Sequence, residues 1–171
     1  MAQTMQSALT AQIVAQPSAM LPGIPPFVFA LPEGWVLDEA PGALAVIRMP
    51  EETDGFLING ILSHDKVSRK VDFKEAAGFT WQRLLEGCPD AEIYTEKFTQ
   101  MGGRPVFLRA LKVSAPKSGR AISQLQAIWF APTNGPGKVV DFFQCVFTCP
   151  AEHVDAVAPH AFAFLASFKF V

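Results

Sequence analysis

At 171 residues, half of them apolar and 18% charged, the chain is long enough for one substantial core and too apolar to be disordered. Fourteen basic against sixteen acidic residues leave a net charge of −2 with no basic block, which argues against a nucleic-acid partner. No apolar run reaches the roughly 18–20 residues that span a bilayer, so no membrane insertion is expected.

The first twenty residues contain no Lys or Arg and do not read as a signal peptide. Three cysteines, Cys88, Cys145 and Cys149, make no disulfide framework. Four residues on one strand would hold Cys145 and Cys149 about 13 Å apart, too far for a bridge. A cytoplasmic protein with reduced thiols is the expectation.

Residues 1–22 read as a loosely held arm, with a short helix over Gln6–Ala15 that stops before Pro17, and residues 23–171 as one α+β domain. Phe27–Ala30 is a short strand closed by the turn at Pro32–Gly34. Leu44–Arg48 and Phe56–Ser63 form an antiparallel strand pair. The polar stretch that follows, from His64, reads as a loop. Asp72–Glu86 is a helix: Phe73, Ala77, Trp81 and Leu84 recur at the helical period, and Asp72 is placed to cap it. Ala91–Gln100, Pro105–Ser114 and Ala121–Phe130 are strands joined by short turns, a meander rather than a set of crossovers.

The run Lys138–Cys149 organises the chain. It holds seven β-branched or aromatic residues and no Gly or Pro. Phe143, Cys145, Phe147 and Cys149 commit one face to a core, while Phe142, Gln144 and Val146 give the other face mixed polarity. A helix from about Ala151 to Phe168 follows, and Pro159 is expected to kink or split it.

Several signatures now stand in order: FALPEGW at Phe29–Trp35, FLINGILS at Phe56–Ser63, GGRPVFLRALKV at Gly102–Val113 and a closing FLASFKF. Together these resemble the superfamily that shares the fold of the Ran-binding Mog protein and the photosystem PsbP protein, and within it the LpqN-like group. The resemblance covers about residues 27–170. It implies a twisted antiparallel sheet with helices packed on it, and binding, assembly or chaperone-like work by a bacterial protein rather than catalysis. It supplies no catalytic residue to carry over. An unidentified protein partner is expected, a secretion-system component among the candidates, and a homodimer is a further expectation. No cofactor is expected.

The candidate binding surface is apolar: Leu21, Ile24 and Phe27 of the arm, Phe79 of the first helix, Trp35 and Trp129, and Phe162 and Phe164 of the last helix. Arg109 falls on an apolar strand face, where an unpaired charge would be costly; its readings are a structural ion pair first, then a side chain that snorkels to water, then an anion site. His153, His160 and Cys149 make a thin metal set without a fourth ligand, so no metal is expected. His64 beside Asp65 could suggest a general base, yet neighbours on a strand face opposite ways, so no catalytic residue is named. The alternative reading is a small enzyme or apolar-ligand carrier with a Phe-lined pocket.

Overall fold

The computed structural model describes residues 14–19, 21–133 and 137–171. Seven strands make one antiparallel sheet: β2 (Val36–Asp38), β3 (Ala45–Arg48), β4 (Asn59–Ser68), β5 (Glu92–Met101), β6 (Arg104–Ser114), β7 (Ala121–Phe130) and β8 (Val139–Pro150), in the spatial order β2-β3-β4-β8-β7-β6-β5. A second, two-stranded ribbon pairs β1 (Phe27–Val28) with β9 (Lys169–Phe170). Helix α1 spans Phe73–Gly87, and a 3-10 turn at Ala151–His153 leads into α2, Val154–Ser167. The sequence order of strands and helices, and the meander from β5 to β8, are as expected. The twisted antiparallel sheet with packed helices is the observed α+β architecture.

β8 is the middle strand of the seven, paired over most of its length with β4 and β7. Its period-two pattern therefore governs both faces of the sheet. Phe143, Cys145, Phe147 and Cys149 are all buried on one face, in a core completed by Phe164, Leu165 and Phe168 from α2 and the residue after it. Aromatic rings interlock there: Phe143 lies 6.0 Å from Trp129, 5.8 Å from Phe168 and 5.2 Å from Phe170. Gly60 on β4 permits this density, since a Cβ there would lie 2.6 Å from the Phe147 ring.

Helix α1 lies on the opposite face. Asp72 closes a reciprocal capping box with Glu75 at its start. Ala76 and Ala77 pack with Phe107 and Ile128, and Trp81 and Leu84 pack with Leu111, Val113 and Ile122. The α1 contacts thus fall mainly on β6 and β7.

Several local expectations change. β4 continues to Ser68, because the residues from His64 pair in full register with β8, so His64–Asp65 is strand and not a loop entry. β2 and β9, of three and two residues, are additional strands. Pro159 neither ends nor divides α2; it is exposed, as is Asp155, the residue whose carbonyl loses its N–H partner to the proline. The short helix over Gln6–Ala15 lies outside the described residues except at Val14 and Ala15, which are not helical.

Candidate binding cleft

Three of the expected surface residues prove to be core. Trp129 and Phe164 have no exposed surface and Trp35 retains 4%. Trp129 follows the inward period of β7 and sits under the Arg104 guanidinium, 4.8 Å from its ring centre. Phe164 occupies the inward stripe of α2, and Trp35 packs edge-on to Phe147 at 6.1 Å. Phe27 is half-buried, stacked on Phe168 at 5.0 Å. Leu21, Ile24, Phe79 and Phe162 are exposed. Phe79 and Phe162 stand on opposite faces of the sheet, so the expected residues do not assemble into one patch.

Arg109 is 2% exposed, and its charge is answered from both layers. Its Nε donates to Glu96 Oε1 at 2.8 Å, Nη1 to Thr80 Oγ1 and Gln126 Oε1, and Nη2 to the Ala77 carbonyl at 2.8 Å. Two of those acceptors belong to α1 and two to the sheet, so the guanidinium clamps the helix in place.

Arg104 reads in the sequence only as the end of a glycine turn. Buried at 8% exposure, it donates to the Leu165 and Phe168 carbonyls at 2.8 and 2.6 Å, satisfying the C-terminal end of α2. Burial lowers its pKa to about 10, which leaves it charged at neutral pH.

His153, His160 and Cys149 do not come together in one site. His153 pairs with Asp54 at 2.7 Å, His160 packs against Trp35, and Cys149 lies in the core. Among the described residues the one potential metal-ligating trio is Asp54, Glu152 and His153. Its members already have partners: Asp54 hydrogen-bonds with His153, and Glu152 pairs with Arg120 at 2.5 Å. His64 bonds to Asp141, not Asp65, at 2.8 Å. Burial pushes the Asp141 carboxyl up, but the hydrogen bonds from His64 and Lys66 outweigh it and hold the group below the usual carboxylate range.

A broad concavity lies where α1 leaves the sheet uncovered. It is a cleft of about 750 Å³ with β4, β8 and β7 as its floor and the flank of α1 as its wall. Ser63 and Asp65 come from β4; Phe142, Gln144 and Val146 from β8; Gln124 and Gln126 from β7. The wall presents Ala76, Phe79, Thr80, Arg83 and Leu84, at one-turn intervals. The mixed face of β8 thus neither meets its own helix in full nor faces open water. Gln124 also borders a smaller pit on the other face, and its Oε1, like Trp35 Nε1, Trp129 Nε1 and Arg104 Nε, is buried without a hydrogen-bond partner among the described residues. Of the cleft residues only Phe79 belongs to the expected surface set. The signal for the rest is the glutamines recurring at alternate positions of two strands otherwise rich in apolar residues.

A second, smaller pit of about 170 Å³ opens on the other face, between α2 and the outer strands. Tyr94, Ala110, Leu125, Ala158 and Phe162 line it, almost without polar atoms.

No protein-family profile and no curated protein matches the chain. Solved structures do. LpqN of Mycobacterium tuberculosis, described as involved in cell envelope biogenesis, superposes with a TM-score of 0.71 at 16% identity, over 88% of this chain and 86% of that one. Cyanobacterial PsbP (CyanoP) from Synechocystis sp. PCC 6803 gives 0.56 at 16% identity, over 85% and 86%. The Saccharomyces cerevisiae Ran-binding protein Mog1p gives 0.51 at 18% identity, over 85% and 90%. The chain shares its fold with these proteins, and with LpqN along most of both chains.

Proposed function

We propose that this protein is a non-catalytic binding or assembly protein and that the cleft beside α1 is where it holds its ligand or partner. The observation that carries the reading is the 750 Å³ cleft itself, floored by Gln124, Gln126 and Gln144 among apolar side chains. The cleft volume lies within the range of ordinary ligand sites, about 300–1,000 Å³. Its polar groups are the amides of Gln124, Gln126 and Gln144, the hydroxyls of Ser63 and Thr80, and the charged Asp65 and Arg83, without a nucleophile hydrogen-bonded to a base. The Ser63 hydroxyl faces the Gln144 carbonyl, and the His64 ring is taken by Asp141 and Phe143. One structural neighbour has a binding role: Mog1p is a Ran-binding protein.

The test fills the cleft. The substitution Val146→Trp projects an indole from the middle of the floor. Species retained from a cell extract by the wild type and analysed by native mass spectrometry should be lost from the substituted protein. An identical retained set for both proteins would remove the cleft as the seat of function.

A carrier of small apolar ligands is the second reading, favoured by the 170 Å³ pit, close in size to a cavity that takes benzene. Benzene should then shift the NMR signals of the Ala110 and Ala158 methyl groups; unmoved signals at saturation would end that reading.

A further inference from the structure

Taking the cleft as the binding seat, we infer that it receives an extended peptide segment of about six residues, with a basic side chain at one end and an acidic one at the other. The floor follows the strand direction. Asp65 stands opposite Phe142, and Gln124 opposite Thr148, so six residues of β8 separate the two levels, about 20 Å at strand rise. An extended peptide of about six residues has that length.

The two ends carry opposite charge. Asp65 is exposed at one level, and its carboxylate accepts from the neighbouring Lys66 backbone N–H. Arg83 stands at the other level: Leu84, beside it in sequence, packs with Leu111, and Leu111 is the register partner of Gln124. Arg83 is exposed and has no ion-pair partner among the described residues. Between the charges lie Val146, Phe142 and the overhanging Phe79, 64% exposed, which together favour small or branched apolar side chains in the middle of the segment.

The backbone chemistry decides between an extended segment and a helix. A helix has used its own N–H and C=O groups and could meet the floor only through its side chains. An extended segment keeps alternate N–H and C=O groups free for the Ser63, Gln124 and Gln144 side chains that line the floor.

Random heptapeptides displayed on phage, selected on the full chain and counter-selected on Val146→Trp, test the assignment. Enriched sequences should carry Lys or Arg about five positions from Asp or Glu. The pair of exposed substitutions Asp65→Lys and Arg83→Glu should reverse that order in a fresh selection. Gln124→Leu should weaken the synthetic consensus peptide about tenfold, the loss of one good hydrogen bond. Enrichment of peptides with helical i, i+3, i+4 apolar spacing would overturn the extended assignment. So would charge order that ignores the swap, or no enrichment over the filled variant. In that last case, a non-peptide species still lost from Val146→Trp in the extract experiment would leave the cleft standing and remove only the peptide. If Val146→Trp fails to fold, the charge-swap selection and Gln124→Leu suffice, because Asp65 and Arg83 lie at the surface.

Discussion

The two faces of one sheet have been finished differently. The face under α2 is dry and interlocked: Phe143, Phe164 and Phe168 have no exposed surface, and rings meet at 5–6 Å. The face under α1 is covered only over β6 and β7, and next to the helix it turns polar. The same strand supplies both, since β8 alternates Phe143, Cys145 and Phe147 with Phe142, Gln144 and Val146. One face is built for cohesion, and the other leaves a cleft floored by glutamines beside the helix.

That contrast can be tested by substitution. Phe143→Ala removes a ring from the centre of the aromatic lattice and should cost about 4 kcal/mol in chemical denaturation, among the largest single-residue losses in the molecule. A cost below about 1 kcal/mol would mean the lattice is loose. Arg109→Ala should cost about 3 kcal/mol, because it leaves the Glu96, Gln126 and Ala77 acceptors unanswered between α1 and the sheet. Its loss should show first in α1, as faster hydrogen exchange there than in α2.

Gly60→Ala should cost about 2 kcal/mol, since the new methyl meets a Phe147 ring that is itself 2% exposed and cannot retreat. Gln144→Ala, on the open face, should change stability by no more than about 0.5 kcal/mol, and a larger loss would mean the cleft floor is structural. The smallest effect concerns pH. The Asp141 carboxyl is held low in the folded state, so its contribution is present above the ordinary carboxylate pKa of about 4 and fades as pH falls through the lower folded value. Asp141→Asn should flatten the acid limb of a stability–pH profile; an unchanged limb would show that the His64–Asp141–Lys66 contacts contribute nothing to it.

The fold is largely legible in the sequence because its signals are local. β8 alternates cleanly, α1 has both its apolar period and its Asp72 cap, and two adjacent glycines mark the β5–β6 turn. The failures have physical reasons. The far half of β4 is polar because it lies at the sheet end, where pairing with β8 rather than burial makes it a strand. β2 and β9 are too short to show a period. Trp35 and Trp129 look like surface residues only because aromatics are common in binding sites, whereas period two already assigns Trp129 to the buried face with Leu125 and Ala127. Arg104 escapes notice because its partners are the carbonyls of α2, some sixty residues away, which leave no trace in sequence. The cleft is only half legible: the mixed face of β8 poses the question, but the lateral position of α1, which leaves that face open, follows from the register of β6 and β7.

The thiols give the central strand a further property. Cys145 has no exposed surface and burial drives its ionisation far upward, while Cys149 is pushed up to about 11. Cys88, half-buried past the end of α1, is the accessible one. A thiol reagent will therefore modify Cys88 in the native molecule and reach Cys145 only when α2 lifts or the sheet parts. The slow phase of labelling is a clock for that opening. Its rate, followed with and without a ligand in the cleft on the opposite face, would show whether binding on one side of the sheet is felt on the other.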